Sequence, residues 1–533
     1  QSVADSYAGG YFGHELGRSG YDGILVRGIS SRPVILSLID GEAALTPADD
    51  LWGAGTGEIH NELTSRFPGG RISSIGPAGE RRVSQACIIN DRSRSAGRPG
   101  LGAVMGAKRL KAVVVRGSSD KALHDADRFT EERAAYLKTF TENESVQRFG
   151  EYGTAGGVTV LSEMGILPTK NFQDGVFDDA EAIGGGRMHD TILVDRETCA
   201  GCPIRCKRAV KTVFNGREVL PDFGGPEYET LGALGSLCLN ADLDAIALAN
   251  QLCNDLGLDT ISVGVAIAFL MEASEAGLID DPVDWGDPAA VVRLTEQIGR
   301  RDGIGDRVAD GLERFANEIG ADFAMTIKGV EIPMHEPRGK QGLGLGYATS
   351  PRGATHLEGA HDTMLERENP SPDIGVTRSY ERFTLSDKAE PMIVFENLRS
   401  FTNSLVVCVF TAGATGPGYK YTALRSLLEA ATGLAVDADE MLRIGERAYA
   451  LMRILSGRAG HRIERDGLPV RFADPLPRGA SADRPVDPGV MRETIARAYT
   501  LRGYDPYGPT DELLRRLDLA DCTGRIDRSG KPA

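Results

Sequence analysis

The sequence predicts an α+β, multidomain fold in which an N-terminal β-sheet domain precedes two mostly α-helical domains. Three observations carry this. The chain has 533 residues, and chains beyond roughly 250–300 residues divide into several cores. Up to about residue 120, short β-branched runs alternate with glycine-bearing turns, as strands do. From Asp125 onward, apolar residues recur at helical spacing between polar caps.

The expected division is residues 1–120, 121–328 and 329–533. In the first part, Gly23–Arg27, Pro33–Leu38 and Lys111–Val115 read as strands. Two glycine loops lie between them: SIGPAGE, with Gly76 and Gly79, and SAGRPGLGAVMGAKRLKA, with Gly97, Gly100, Gly102 and Gly106. In the second part, Leu243–Leu256 reads as a helix capped by Asp242 and stopped by Gly257. The third opens on another glycine loop, EPRGKQGLGLGYATSPRG. Helices are then expected over Asp387–Cys408, Tyr421–Thr432 and Asp439–Ser456. The apolar runs Val263–Met271 and Leu405–Ala412 are too short to span a bilayer and read as buried elements. The stretch from Asp474, rich in Pro, Arg and Asp, reads as a surface wrap.

Composition narrows the function classes. A formal charge of −16 argues against a phosphate-backbone partner and suits a basic docking partner. The 66 glycines gather in loops, which suggests backbone brought close to a bulky ligand. Three of the eight cysteines crowd together and five are scattered, unlike a secreted disulfide framework. No signal or transit segment is visible, so a cytoplasmic protein without a membrane span is expected. The abrupt start inside SYAGGYFGHELGRSGYDGILVRG leads us to expect that an N-terminal portion is missing.

The crowded thiols are Cys199, Cys202 and Cys206 in TCAGCPIRCKR. Soft ligands at this spacing ask for an iron–sulfur cluster or zinc, and C-x2-C-x3-C favours three corners of a cubane. A fourth ligand must come from elsewhere. Cys238, Cys253, Cys408 and Cys522 are all candidates, and the bland reading of each is a small buried hydrophobe.

The remaining motifs are individually weaker. The Gly97–Gly106 loop lacks the third glycine of a dinucleotide fingerprint and precedes a strand. With Arg94, Arg98 and Lys108 it suits a phosphate-bearing organic ligand, or else is a solvated connection. GGPEYETLGALGS sets Glu227 and Glu229 beside small apolar residues. Such carboxylates serve as proton carriers when burial raises their pKa, or simply sit at a helix N-terminus. CNDLGLDTISVG offers Asn254, Asp255 and Asp259 around Gly257, either as a helix stop and cap or as a polar cradle for a heterocycle. His335, His356 and His361 fall in or after the third glycine loop; a lone histidine is more often structural than catalytic.

Taken together, the segments resemble the aldehyde:ferredoxin oxidoreductase family of tungsten–pterin enzymes. GGYFGHEL with GYDGILVRG, SIGPAGE, RSAGRPGLGAVMGAKRLKAVVVRG, CAGCPIRC, GPEYETLGALG, CNDLGLDTIS, PRGKQGLGLGYATSPRG and RDGLPVRF occur in the family's order across nearly the whole chain. The family's roughly eighty N-terminal residues are absent from this pattern, so its pterin-binding β-sheet domain is expected to be incomplete. The resemblance implies tungsten, or molybdenum in its place, held by two pyranopterins, one [4Fe–4S] cluster, and Mg bridging the pterin phosphates. It makes Cys199, Cys202, Cys206 and Cys408 the cluster ligands. Gly9, Gly10, Arg94 and Ser95 would lie along the pterin site, with Asn254, Gly257, Leu258 and Asp259 from one pterin motif and Asn403 and Val407 from the other. Glu229 falls on the family's base, and His356 on the histidine that polarises the substrate carbonyl.

The implied reaction oxidises an aldehyde to a carboxylic acid and passes electrons to ferredoxin or a ferredoxin-like subunit. Two alternatives stay open: another low-potential reaction on the same fold, such as reduction of an acid or aryl thioester, and a non-catalytic electron-transfer subunit. The sequence also departs from the family. Asn254 and Asn403 replace the first aspartate of each pterin motif, and Val406 replaces a glycine. Leu248 and Gln251 stand where some members bridge subunits through iron, so a homodimer would do without that metal.

Overall fold

A computed structural model describes residues 3–411 and 421–523. As the sequence predicts, an N-terminal sheet domain is followed by helical regions; these share one extended apolar core.

The sheet is formed by β1 (Val34–Ile39), β2 (Glu42–Pro47), β3 (Arg71–Ser74), β4 (Ile88–Asn90), β5 (Arg94–Ala96) and β6 (Leu110–Arg116). Their order is β2-β1-β6-β3-β4-β5. β6 runs parallel to β1, in the register Leu36↔Val113, and antiparallel to β3, in the register Ser73↔Val113. Its near-continuous apolar run fits a central strand covered on both faces. Ile35, Ile72, Ala112 and Val114 pack toward Ile59 and Leu63 on one face, and Leu38, Val113 and Val115 toward Met105 on the other. Lys111 is the exception within β6. Its buried ammonium donates to the Ala54 carbonyl at 3.0 Å and pairs with Glu80, as a charge out of water must.

Gly23–Arg27 forms no strand, and Leu25 is 78% exposed. β-Branched residues do not make a strand without an edge to pair with. The second glycine loop contains the helix Leu101–Ala107, and the third folds into the helix Gln341–Thr349, buried at every residue. The glycines there serve close packing: a Cβ on Gly342 would stand 2.7 Å from Asp362 Oδ1.

Leu243–Leu256 is a helix as expected, with Asp242 accepting from the Ala245 amide and Gly257 ending it at φ +75°. Thr260–Glu275 follows and buries Val263–Met271. Tyr421–Thr432 is also helical, and Ala438–Arg458 covers the next expected helix. The helix over the Asp387–Cys408 region spans Ala389–Ser404. Leu405 to Thr411 is a partly exposed turn rather than a buried element, and Ala412 lies outside the described residues.

The C-terminal stretch is more than a surface wrap. It carries the helices Pro488–Arg502 and Asp511–Arg516, capped by Asp487 and Thr510, and its Arg502 is buried against Glu396 at 2.5 Å. Among the described residues, no helix is long and apolar enough to cross a membrane.

Candidate active site

Where the sheet meets the helices lies a cavity of about 300 Å³, lined by Gly9, Arg94, Ser95, Glu229, Asn254, Leu258 and Asp259 among others. These come from distant parts of the chain. β5, at the sheet edge, delivers Arg94 and Ser95. The turn between the Leu243–Leu256 and Thr260–Glu275 helices delivers Leu258 and Asp259.

Asp259 is the helix cap of the first reading and also lines the cavity. One oxygen caps the Thr260–Glu275 helix, accepting from the Ser262 amide at 2.9 Å, and the same oxygen stands 3.4 Å from Arg98 Nε. Asn254 fastens the fold, its amide donating to the Phe223 carbonyl at 2.8 Å. Gly257 is required by close approach, since a Cβ there would meet the Gly76 nitrogen at 2.8 Å. Asn403 and Val407 do not line this cavity; Val407 packs against the core and donates to the Thr402 carbonyl. Lys108 points away as well, donating to the Gly28 carbonyl on an exposed surface.

Next to this cavity stand the four predicted thiols. A Cβ on Gly9 would come within 2.8 Å of Cys199 Sγ, so Gly9 separates the cavity from the cysteine loop. Arg94 spans the same boundary, donating to Glu197 and to the Thr198 carbonyl. Cys202 and Cys206 pack with Ile204 and Phe410, and Cys408 follows the Ala389–Ser404 helix. Burial raises the pKa of Cys202, Cys206 and Cys408, and the neighbouring cysteines raise each further. Gathered thiols of this kind become thiolates only against a strong positive centre. Among the described residues, no three His, Cys, Asp or Glu side chains are arranged around one metal ion. Cys238 and Cys253, fully buried, are the small hydrophobes of the bland reading.

Glu229 enters from the first turn of the Tyr228–Leu234 helix. Its Oε2 accepts from the Met334 amide at 2.8 Å. Its Oε1 is buried without a hydrogen-bond partner among the described residues, 3.6 Å from His356 Nε2 and 3.4 Å from His335 Nε2. Burial pushes the carboxyl up to about 7, and Arg98 and Lys340 pull against it. Burial, with Arg98, Arg352 and Lys340, holds His356 down at about 3, so its imidazole is neutral. Glu227, the other acid of the motif, is salt-bridged to Lys207 at 3.4 Å.

The structure adds one residue, Lys340, to the histidines that the sequence singled out. His335 stacks on Tyr228 at 5.0 Å and meets His361 edge-on at 4.5 Å, and Lys340 sits between the two imidazoles. The three histidines were visible together in the sequence; the lysine among them carried no signal.

Comparison with known proteins agrees with this arrangement. Residues 1–117 match the family model described as aldehyde ferredoxin oxidoreductase, N-terminal domain, and residues 131–519 match domains 2 and 3. The N-terminal domain, expected to be incomplete, is therefore present. The tungsten-containing aldehyde ferredoxin oxidoreductase of Pyrococcus furiosus is 37% identical over 96% of this chain and 84% of its own length. That of Thermococcus kodakarensis is 36% identical over 94% of this chain and 82% of its own. An aliphatic sulfonate oxidoreductase, WOR-like subunit, of Pyrococcus furiosus is 26% identical, covering 99% of this chain and 85% of its own length. In fold, the chain is similar to the active-site complex BamBC of benzoyl coenzyme A reductase, with TM-score 0.79 and 22% identity over 97% of this chain and 84% of that one. The chain belongs to the aldehyde ferredoxin oxidoreductase family and is an enzyme of that type.

Proposed function

We propose that the protein is a tungsten–bis-pterin enzyme that oxidises an aldehyde to a carboxylic acid, with ferredoxin or a ferredoxin-like subunit receiving the electrons. One observation carries the reading: the unpartnered Glu229 Oε1, 3.6 Å from the neutral His356. That gap is too long for a good direct hydrogen bond, and a buried acceptor left unpaired costs about 1–3 kcal/mol. The pair is thus built to receive a third polar group.

The residues fit the groups that the family implies. Gly9, Gly10, Arg94, Ser95, Leu258 and Asp259 would hold the pterins, with Asn254 and Gly257 shaping the turn behind them and Asn403 and Val407 acting only from a distance. The buried Nε of Arg94, unpaired among the described residues, is suited to an anionic ligand atom. Cys199, Cys202, Cys206 and Cys408 would hold the [4Fe–4S] cluster, and Mg would accompany the pterins. When bound, the tungsten–pterin group would supply the two-electron acceptor and the cluster its outlet.

The chain's own residues do the proton work. His356 donates a hydrogen bond to the carbonyl oxygen, making the carbonyl carbon more electrophilic. Glu229 Oε1 accepts a proton released as water is incorporated and the aldehyde becomes an acid. On this reading, residues 1–120 form the pterin-binding sheet domain and 121–328 and 329–533 the helical domains. A homodimer would do without bridging iron: Leu248 is buried, and Gln251 binds Leu220 and Glu218.

Metal analysis of protein purified anaerobically, with an aldehyde panel and a viologen dye, tests the reading. We expect tungsten, iron and sulfide, and dye reduction by at least one aldehyde. Protein that loads no tungsten and turns over no aldehyde refutes it.

A further inference from the structure

His356 sits outside any helix or strand. Residues 350–361 pass through turns between the Gln341–Thr349 helix and the short Asp362–Leu365 helix. The ring's own Nδ1 is buried without a hydrogen-bond partner among the described residues. An imidazole in such a place is aimed by its main chain, so whatever holds that main chain decides where Nε2 points.

The main chain is held from the side. His361 Nε2 lies 3.0 Å from the His356 carbonyl oxygen. A carbonyl only accepts, so His361 carries its proton on Nε2 and presents a bare Nδ1. Lys340 Nζ stands 2.9 Å from that Nδ1 and donates to it. Burial and the Lys340 charge keep His361 well below the ordinary imidazole value, so the ring is neutral and Nδ1 can accept. The next residue anchors this arm. Asp362 accepts from the Gly342 and Leu343 amides at 3.0 and 2.8 Å, and pairs with the buried Lys388 at 3.0 Å.

Lys340 also reaches the Glu229 side. Its Nζ lies 3.1 Å from His335 Nδ1, and His335 stacks on Tyr228 at 5.0 Å. Tyr228 precedes Glu229 in the same helix, and its hydroxyl donates to the Met334 carbonyl at 2.6 Å. His335 thus braces the helix that carries Glu229 without a hydrogen bond to the carboxyl, whose Oε1 has no such partner among the described residues. Lys340 is itself buried. As ammonium or as amine it keeps at least two N–H bonds to give, one for each imidazole.

We propose that Lys340 is a positioning residue: with His335 and His361 as its two arms, it fixes the His356 main chain against the Glu229 helix and so sets the gap between the two side chains. Hydrogen bonds and stacking do this, and no proton changes place. The inference rests on the roles given to Glu229 and His356 above. A pair aligned in this way loses rate rather than affinity when its brace is removed, since a displacement of about 1 Å costs up to about 10²-fold.

Paired substitutions at His361 separate hydrogen bonding from packing. His361→Gln keeps an amide N–H for the His356 carbonyl and an oxygen for Lys340, whereas His361→Phe fills the space and offers neither. His361→Phe should lower kcat about tenfold or more with KM little changed, and His361→Gln should recover most of that loss. Crystal structures of the holoenzymes read the geometry directly. His356 Nε2 should shift from Glu229 Oε1 in His361→Phe and in Lys340→Met, and keep its place in His361→Gln. Wild-type kcat in His361→Phe, a glutamine variant no better than the phenylalanine one, or an unmoved His356 in both His361→Phe and Lys340→Met would overturn the proposal. If those two variants do not fold, the crystal structure of the wild-type holoenzyme decides. His361 within hydrogen-bond distance of both Lys340 and the His356 carbonyl supports the brace, and loss of either contact refutes it. The crystallographic comparison needs no aldehyde, so a wild type that turns over none counts against the assigned reaction and not against the brace.

Discussion

Glu229 Oε1 and His356 Nε2 face each other at 3.6 Å, the first an acid raised by burial and the second an imidazole kept neutral by it. The same desolvation therefore gives two groups opposite talents at one pH. Between about 3 and 7 on the pH scale, His356 is neutral while Glu229 is still gaining its charge. Only above about 7 are a carboxylate base and a neutral donor present together.

Turnover should accordingly rise with pH through about 7, with no fall from His356 ionisation on the acid side until about 3. Glu229→Gln should lower kcat by about 10²-fold or more, the range of a lost general base, and leave tungsten and iron contents intact. Metal analysis beside steady-state kinetics checks this. Wild-type turnover in Glu229→Gln would remove the carboxyl from the mechanism.

The same shift predicts a stability effect. Folding raises the Glu229 pKa from 4.5 to about 7, so the folded state binds its proton more tightly. Its contribution to stability is most favourable below about 4.5 and is lost as pH rises to about 7. Glu229→Gln removes that loss and should stabilise the protein at pH 8 by up to about 3 kcal/mol relative to its effect at pH 4. Thermal melts of both proteins at the two pH values would show it. Equal differences at both would contradict the burial argument.

What the sequence revealed follows physical range. The Leu243–Leu256 helix, its Asp242 cap and its Gly257 stop depend on neighbours within a few residues, and all are legible. So was the convergence of Arg94, Glu229 and Asp259, through recognisable motifs. Gly23–Arg27 misled because strand formation is decided by a partner. The third glycine loop misled because burial against Asp362 and its neighbours makes a helix of residues with poor helical propensity. Lys340 between two imidazoles was illegible, since nothing local marks a lysine for burial.

Val406 occupies a left-handed conformation at φ 54° just after the Ala389–Ser404 helix, where the family motif has glycine. A β-branched side chain is strained there, by roughly 1–2 kcal/mol. With 72% exposure it gains little packing in return. Part of any benefit of glycine is offset by its unfolded-state entropy, roughly 0.5–1 kcal/mol. Val406→Gly should therefore stabilise by about 0.5–1 kcal/mol, measured as a raised melting temperature. A lowered one would show that Val406 makes a contact worth more than its strain.

Gly9 offers the sharpest test of the boundary between cavity and thiols. A methyl group there would sit 2.8 Å from Cys199 Sγ, well inside the contact distance of carbon and sulfur, so the thiol or the loop must shift. Gly9→Ala should lose cluster iron and the broad visible absorbance of an iron–sulfur centre while the protein stays folded, because the added methyl touches no core residue. Iron and sulfide assays with circular dichroism separate the two effects. Full iron content in folded Gly9→Ala would mean that Cys199, in the position seen here, takes no part in holding the proposed cluster. Tungsten measured in the same sample extends the argument: since Gly9 also lines the cavity, the substitution should reduce both metals, whereas Cys199→Ser, acting from the far side of that glycine, should reduce iron first.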